Sequence, residues 1–281
     1  MTSSSFRLCI LIPTYDNPDT IERVVESVLP HVRDVLVVDD GSGPRAQQAL
    51  TSLRERGLAH VIRRERNGGK GAAVKTGLAA ARDLGFSHAL QIDADGQHCV
   101  EDIPRFVEAA QAAPAELILG TPQFAADAPK ARLYGRLVSV VFVHIQTAGR
   151  VIADPLCGFR VYPVAAALAS APSADRMEFD PEIAVRMVWR GVRVRNLPTQ
   201  VRYISREEGG VSHFQVVRDN VRISWMHTRL TFLSIVLRIF GLLGLRRLGG
   251  WGQPALTLTP TNGGTPLSPA PLGGDPEDSA R

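Results

Sequence analysis

Residues 35–42 read VLVVDDGS, so four apolar residues run directly into two aspartates, a glycine and a serine. Continuous apolar runs of this length are typical of strands that are buried on both faces of a parallel sheet. The earlier run Leu8 to Ile12 has the same character, and the segment between the runs, Pro18 to Leu29, carries apolar residues at helical spacing. The order strand, helix, strand therefore predicts a βαβ unit near the start of the chain.

The same alternation continues through residues 1–122, which form the first half of a predicted domain. We predict further strands at His60 to Arg63, Ala89 to Ile92 and Leu117 to Leu119, and further helices at Pro44 to Gly57, Gly71 to Leu84 and Glu101 to Ala112. Strands that alternate with helices imply an α/β fold, here a Rossmann-like, mainly parallel sheet with helices on both faces. Ligands of such sheets bind at the carboxyl ends of the strands.

Residues 123–213, the second half of a predicted domain that spans residues 1–213, have a more mixed pattern. We predict helices at Ala131 to Gly149 and Asp180 to Arg190, and a strand at Val192 to Tyr203. Residues 181–250 hold twelve arginines and four acids, while the whole 281-residue chain is only +4. A basic segment of this kind suits phosphates or an anionic bilayer surface, or it is simply a solvated face.

The C-terminal part of the chain predicts an amphipathic helical segment over residues 214–248. Its run Phe232 to Leu245 is almost wholly apolar but shorter than the roughly 20 residues needed to cross a bilayer. Interspersed arginines favour a helix that lies in the headgroup plane, and a helix folded back over the core is the alternative. Residues 249–281 are rich in Gly, Pro, Thr and Ser, so we expect a disordered tail.

Cysteine usage and the N-terminus favour a cytoplasmic protein. Cys9, Cys99 and Cys157 have neither disulfide-framework nor zinc-ligand spacing, which fits a reducing compartment. The short polar start, Met1 to Phe6, lacks the features of a secretory signal. We therefore expect a cytoplasmic location, peripheral on the inner face of the cell membrane.

A polar cluster follows each of the first four predicted strands. The clusters are Pro13 to Tyr15, Asp39 to Ser42, Asn67 to Gly71 and Asp93 to His98. Because the carboxyl ends of parallel strands meet at one edge of a sheet, we expect these four clusters to form one site. Each would be an ordinary turn or helix cap if it stood alone.

Asp93 and Asp95 flank a single alanine after a buried strand, so both carboxylates can share one cation. Oxygen ligands of this kind suit Mg²⁺ or Mn²⁺, which take a few carboxylates together with substrate phosphates and water. The loop Asn67 to Gly71 fits neither the P-loop pattern nor GxGxxG. Its glycines can still offer N–H groups to an anion, with Lys70 adding positive charge.

In ordered combination, the motifs resemble the family 2 inverting glycosyltransferases, and within them the branch similar to dolichyl-phosphate mannose synthase. The first-half motifs are Ile12 to Tyr15, Val37 to Ser42, Asn67 to Ala72 and Asp93 to His98. The second-half motifs are Asp154 with Gly158-Phe159-Arg160, Glu178 to Asp180, and Arg206 with Gly210-Val211-Ser212. The resemblance covers about residues 6–215 and implies a GT-A fold with inversion by direct displacement.

The resemblance also implies roles for individual residues. Those expected to hold the nucleotide are Pro13, Tyr15, Asp40 and Lys70. Asp40 would reach the base and Asp93 would lie by the ribose or the metal-bound water. Asp95 and Gln97 would hold the metal, and Arg206 would reach the donor diphosphate or an acceptor phosphate. Many relatives carry paired transmembrane helices or a membrane domain after the catalytic part, and a single amphipathic stretch follows it here.

A hydroxyl acceptor would require a general base, whereas a lipid phosphate is already anionic and needs none. The second half offers Asp154 and Asp180 as preferred bases, although Asp180 before Pro181 also reads as a helix N-terminal acid. We therefore predict a metal-dependent glycosyltransferase that moves a sugar from a nucleotide-diphosphate donor to a lipid-borne acceptor such as polyprenyl phosphate. The alternatives are transfer to a hydroxyl of a soluble or glycan acceptor, and a non-catalytic nucleotide-sugar sensor. We expect no nucleic acid partner.

Overall fold

The structure is a computed structural model that describes residues 6–123, 130–149, 151–201 and 215–242. The strands are β1 (Leu8–Thr14), β2 (Val35–Asp39), β3 (His60–Arg63), β4 (His88–Gln91), β5 (Leu117–Gln123), β6 (Arg160–Pro163) and β7 (Val194–Gln200). The helices are α1 (Ile21–Val28), α2 (Pro44–Glu55), α3 (Lys70–Asp83), α4 (Ile103–Ala112), α5 (Lys130–Thr147), α6 (Val164–Ser170), α7 (Phe179–Trp189) and α8 (Val216–Leu242).

The seven strands form one sheet in the order β3-β2-β1-β4-β6-β5-β7. Parallel pairing joins β3, β2, β1 and β4 in that order, and it also joins β5 to β7. Strand β6 lies between β4 and β5 and is antiparallel to both, with Gln91 opposite Arg160. The carboxyl ends of β4 and β5 therefore lie at the same edge as the beginning of β6.

Helices cover both faces of the sheet because successive side chains of each strand point to opposite faces. On one face, Leu11 of β1 and Val38 of β2 pack in a core with α3, α6, α7 and α8. On the other face, Ile10 and Val37 pack with α1, α2 and α4. Helix α3 approaches β1 closely at Gly77, where an added Cβ would lie 2.2 Å from a methyl carbon of Leu11.

The predicted α/β class, the mainly parallel sheet and the helices on both faces are confirmed, and the predicted strands and helices lie within a few residues of the observed ones. Strand β6 and helix α6 were not predicted from the sequence. Strand β6 has only four residues, and it begins with a buried arginine that interrupts the apolar pattern.

Helix α8 packs against α5 and α7 through one side, which includes Ile223, Met226 and Leu230. Gln146 of α5 donates hydrogen bonds to the main-chain oxygen and Nδ1 of His227. The prediction of a C-terminal helix is therefore confirmed for residues 216–242, while residues 243–248 and the predicted tail lie outside the described residues. Within the described part of the chain, no helix combines the length and hydropathy needed to span a bilayer.

Candidate active site

A cavity of about 130 Å³ opens at the edge of the sheet where β4, β5 and β7 end. Its lining includes Asp93, Asp95, Gln97 and His98 after β4, Pro122 near the end of β5, Val201 after β7, and Arg136, Leu156, Cys157 and Gly158 from the second half. Both halves of the catalytic domain thus contribute to one cavity. The carboxyl edge predicted from the strand-end clusters is the edge at which it lies.

Lys70, the first residue of α3, holds two carboxylates beside this cavity. Its Nζ lies 2.8 Å from Asp93 Oδ1, 3.0 Å from Asp93 Oδ2 and 2.8 Å from Asp180 Oδ2. Burial alone would lower the pKa of Lys70, but the charges of Asp180 and Asp93 outweigh it and raise this pKa above its ordinary value. The lysine is therefore a permanent cation in the wall of the site.

Asp93 and Asp95 lie in opposite electrostatic situations. Burial would raise the pKa of Asp93, but the nearby charge of Lys70 and a contact with His98 hold it well below its usual range. Burial, followed by the negative charge of Asp93, raises the pKa of Asp95. Asp95 therefore lacks a protein cation sufficient to offset the cost of its own ionisation.

This imbalance fits a bound divalent cation. No group of three or more His, Cys, Asp or Glu side chains forms a metal site among the described residues. Mg²⁺ and Mn²⁺ need fewer, because they take one or two carboxylates and complete their shell with substrate phosphates and water. Asp95 would hold such an ion with the help of Gln97, which lines the same cavity and whose backbone N–H donates to Asp95 Oδ1 at 3.0 Å.

Asp40 organises the glycine loop that leads into α3. Its buried carboxylate accepts hydrogen bonds from the backbone N–H groups of Gly68 at 3.1 Å and Gly69 at 2.6 Å, and it also pairs with Arg64. Gly41 must be a glycine, since it has a φ of +79° and an added Cβ would lie 2.8 Å from the backbone of Arg66. The turn after β2 and the loop before α3 are thus built against each other.

The acids that we preferred as bases are both engaged in ion pairs. Asp154 is 6% exposed and accepts two bonds from Arg136, at 2.8 Å from Nε and 3.1 Å from Nη2. Asp180 lies in the first turn of α7 and pairs with Lys70. Glu178, the residue before α7, also has a buried oxygen, Oε2, without a hydrogen-bond partner among the described residues, and Oδ1 of Asp180 is in the same situation.

Three residues with no role in our sequence analysis shape the site. Arg160 is fully buried and donates to the carbonyl oxygens of Pro155, Cys157 and Asp180, so it ties the loop before β6 to α7. An added Cβ on Gly158 would lie 2.3 Å from Asp93 Oδ2. His98, the last residue of the motif after β4, has Nε2 3.5 Å from Asp93 Oδ2 and a buried Nδ1 without a hydrogen-bond partner among the described residues.

The predicted site residues thus fall into three groups. The structure brings together Lys70, Asp93, Asp95, Gln97 and Asp180 at or beside the cavity, and Asp154 joins them through its ion pair with the cavity residue Arg136. Pro13 is buried in β1 opposite Val38, the half-buried Tyr15 follows β1, and Asp40 follows β2, so these three lie further along the same edge. Arg206 lies outside the described residues.

A comparison with protein families supports the chemistry of this edge. The model of the family described as Glycosyl transferase family 2 matches residues 9–166, which is more than half of the chain. The matched region includes all of the strand-end clusters and extends through β6.

Curated relatives named as sugar transferases match most of the chain. The UDP-N-acetylglucosamine--dolichyl-phosphate N-acetylglucosaminyltransferase of Methanococcus voltae is 26% identical, over 69% of this chain and 85% of that protein. The undecaprenyl-phosphate mannosyltransferase of Micrococcus luteus is 28% identical, over 72% of this chain and 86% of that protein. The polyprenol monophosphomannose synthase of Mycolicibacterium smegmatis is 34% identical over a shorter stretch, 41% of this chain and 44% of that protein.

Solved structures show the same fold. The glucosyl-3-phosphoglycerate synthase of Mycobacterium tuberculosis in complex with UDP has a TM-score of 0.62 at 17% identity, over 81% of this chain and 80% of that one. The same enzyme with Mn²⁺ and UDP-glucose has a TM-score of 0.59 at 18% identity, over 85% and 80% of the two chains. The fold and the family match agree with the resemblance inferred from the motifs, and the chain belongs to glycosyl transferase family 2.

Proposed function

We propose that this enzyme transfers a sugar, with inversion, from a nucleotide-diphosphate donor to the phosphate of a polyprenyl lipid, assisted by Mg²⁺ or Mn²⁺. Relatives that match most of the chain carry dolichyl-phosphate and undecaprenyl-phosphate in their names. The observation that carries the proposal is that Asp154 and Asp180, the acids favoured as bases, are already neutralised by cationic side chains.

The pairing of these acids argues against a hydroxyl acceptor. A hydroxyl must lose its proton as it attacks, so it needs a free carboxylate within hydrogen-bond reach. Asp154 is occupied by Arg136, Asp180 by Lys70, and the fully buried Glu182 by arginines that include Arg186 at 2.6 Å. A phosphate acceptor is already anionic and needs no base.

In the proposed reaction, an oxygen of the acceptor phosphate attacks the anomeric carbon while the bond from that carbon to the donor diphosphate breaks. The nucleoside diphosphate leaves with the bonding electrons, and the anomeric configuration inverts. Asp95 and Gln97 would hold the divalent ion, which stabilises negative charge on the leaving diphosphate. Pro13 and Tyr15 would lie against the nucleotide, and Asp40 would hold the glycine loop beside it, since its carboxylate already accepts from Gly68 and Gly69. We keep Arg206 as a phosphate-binding candidate.

We also propose that the enzyme works on the inner face of the cell membrane, through the outer side of α8. The side of α8 opposite its packed face carries an exposed apolar stripe, which we call the outer stripe: Val217, Val221, Trp225, Phe232, Ile235 and Ile239. Exposed apolar residues of α5, including Val138 and Val141, add a second apolar surface. Contiguous exposed apolar surface of this kind marks an interaction site.

The charge of α8 favours an anionic bilayer over a second copy of the chain as the partner of the outer stripe. Asp219 is the single acid in α8, and it is 5% exposed and paired with Arg222. The exposed residues of α8 therefore include arginines, such as Arg218 and Arg238, and no carboxylate. Basic and apolar side chains together favour the headgroup region of an anionic membrane.

A transfer assay tests the acceptor. The enzyme is incubated with labelled UDP- and GDP-sugars, Mn²⁺ and one of three lipids in detergent: a polyprenyl phosphate, the matching polyprenol, or none. We expect label in the polyprenyl phosphate fraction alone. Transfer to the polyprenol, or to a glycan hydroxyl with polyprenyl phosphate inert, would contradict the proposal.

A flotation assay tests the membrane surface separately. We expect the enzyme to float with vesicles that contain phosphatidylglycerol, less so at high salt, and not with phosphatidylcholine vesicles. Trp225 is 69% exposed on the outer stripe, and Trp225→Glu should abolish flotation. Asn220→Glu adds the same charge at an exposed position of α8 outside the stripe, and this variant should still float. Equal flotation of both variants would refute this surface.

A hydroxyl acceptor is the second candidate, and Glu178 is the observation that favours it. The buried Oε2 of this residue has no hydrogen-bond partner among the described residues, so this oxygen is available to accept a proton. If transfer to a hydroxyl is found, Glu178→Gln should abolish it and leave binding of the nucleotide diphosphate unchanged. If transfer to a lipid phosphate is found, the same variant should retain it.

A further inference from the structure

Lys70 is almost enclosed by protein, although its place in a glycine loop suggested a ligand for donor phosphate. Its side chain is 14% exposed, and its ammonium group contacts both oxygens of Asp93 and one oxygen of Asp180. An ammonium has three hydrogens to donate. The two carboxylates therefore use most of the capacity with which Lys70 could bind a phosphate.

The two carboxylates belong to different halves of the domain. Asp93 follows β4 in the first half, and Asp180 lies in the first turn of α7 in the second half. Lys70 begins α3 and lies between them. One ammonium group thus connects the end of a central strand to the start of the helix that covers it.

Backbone contacts in the same region show that this junction is closely packed. The backbone N–H of Ala72 donates to the carbonyl oxygen of Asp175 at 2.8 Å, so the segment before α7 is bonded to the first turn of α3. An added Cβ on Gly71 would lie 2.4 Å from Phe179, and one on Gly69 would lie 2.5 Å from Arg176. The glycines of this loop therefore permit close approach of the second half.

The charges explain why the lysine matters to this junction. Asp180 is 5% exposed and Asp93 is 25% exposed at the side chain. Arg160 Nη2 lies 3.8 Å from Asp180 Oδ1, so without the ammonium group one more distant cation would face two anions in a largely buried place, which is a costly arrangement. A phosphate that recruited Lys70 would have to separate it from both carboxylates.

We propose that Lys70 is a positioning residue that joins Asp93 to α7, and not a ligand of the donor phosphates. It holds the Asp93 carboxylate beside the cavity in a fixed relation to the second half. This inference goes beyond the proposed reaction and does not depend on the identity of donor or acceptor.

A double-mutant cycle in thermal stability tests the connection. Lys70→Met leaves Asp93 with only the His98 contact at 3.5 Å and Asp180 with only the longer Arg160 contact at 3.8 Å, and it should lower Tm by roughly 10 °C. Asp180→Asn should lower it less, because Lys70 retains Asp93. The double variant removes one charge of each sign, so we expect it to be no less stable than Lys70→Met alone. Losses that simply add would overturn the proposal.

Lys75→Met is the matched control on the same helix. Lys75 is 31% exposed and pairs with Asp175, which is 58% exposed, so this surface pair should contribute little. We expect a Tm change of less than about 3 °C and no coupling to Asp180→Asn. If Lys70→Met yields no folded protein, the double variant decides: recovery of folded protein supports the connection, and failure to recover it overturns the proposal.

Nucleotide binding separates a positioning role from a phosphate contact. UDP and GDP are titrated in EDTA, so that a direct contact with the lysine is measured without a metal contribution. We expect the Kd of Lys70→Met, or of the double variant, to stay within about threefold of the wild-type value. A tenfold or larger loss would overturn the proposal. If neither nucleotide binds the wild type, the proposed reaction is in doubt, and the Tm cycle still tests Lys70.

Discussion

Replacing Gly158 with alanine should displace Asp93, because this glycine is pressed against the Asp93 carboxylate. The added Cβ would lie 2.3 Å from Oδ2 and 2.7 Å from Cγ, where ordinary contact begins near 3.4 Å. The two groups must therefore separate by about 1 Å. Asp93 cannot retreat freely, since Lys70 and His98 hold the same carboxylate.

The cost follows from the ion pair that this movement stretches. Lys70 Nζ lies 3.0 Å from Asp93 Oδ2, and lengthening that distance to about 4 Å loses roughly 1.4 kcal/mol at an effective dielectric constant of about 20. The charged hydrogen bond between the same two atoms is lost as well, and the whole contact amounts to roughly 2 kcal/mol. A loss of this size corresponds to a fall in Tm of roughly 6 °C for a domain of this size. A 1 Å misplacement of Asp93 should also lower kcat by roughly a hundredfold.

Differential scanning fluorimetry and the transfer assay measure the two effects. Gly149→Ala is the control, because its Cβ would lie 3.9 Å from the nearest atom, a methyl carbon of Val151. We expect that control to keep both wild-type values. A Gly158→Ala enzyme with wild-type Tm and kcat would refute the reasoning. A lower Tm with unchanged kcat would show that the position of Asp93 matters for stability alone.

Three other outcomes can be measured on the same protein. Burial lowers the pKa of His227 to about 4, so between pH 4 and 6.5 the unfolded chain binds more protons than the folded one. The free energy of unfolding should therefore drop by roughly 3 kcal/mol as the pH falls through that window. In urea titrations, the free energy of unfolding of His227→Gln should depend less on pH. Burial would raise the pKa of Glu182, but hydrogen bonds from Ser173 and the charge of Arg186 lower it. Glu182→Gln should therefore lower the free energy of unfolding by roughly 3 kcal/mol at pH 7, and this loss should shrink as the pH falls below 4.5. EDTA should abolish sugar transfer, and added Mn²⁺ should restore it. Mn²⁺ should also raise the Tm of the wild type but not that of Asp95→Asn. Transfer that does not depend on metal would contradict the assignment of Asp95 as a metal ligand.

The sheet was predictable where its strands are buried on both faces. Val35 to Val38 and Leu8 to Ile12 are continuous apolar runs, and runs of this kind have few other stable environments. Strand β6 was not predictable in this way because its first residue, Arg160, is charged. The burial of Arg160 depends on carbonyl groups of Cys157, just before the strand, and of Asp180 in α7. The order of the strands likewise depends on packing between elements, which local periodicity does not specify.

The position of the site was predictable from the sequence, but the ion-pair partners of its charged side chains were not. Acidic and glycine-containing turns after buried strands indicated the correct edge of the sheet, and Asp93 and Asp95 border the cavity there. The partner of each charge is a tertiary property. Lys70 is far from Asp180 in sequence, and nothing in the sequence around Asp154 indicates that Arg136 occupies it.

The reversed direction of β6 has a consequence for how this scaffold can change. Strands β5 and β6 are hydrogen-bonded neighbours, so the chain leaves the sheet after Gln123 and returns beside the same strand at Arg160. The intervening stretch supplies the Arg136 and Gly158 walls of the cavity. Both of its ends are held in the sheet, since Gln123 pairs with Gln200 of β7 and Arg160 pairs with Leu119 of β5. A relative's version of this stretch could therefore be inserted between Gln123 and Arg160 without a change in strand order. The stretch contains α5, so an exchange must keep the side of α5 that packs on α7 and α8. Under the proposed function, such an exchange would change the acceptor side and leave β1 and β2, which we propose to face the nucleotide, unchanged.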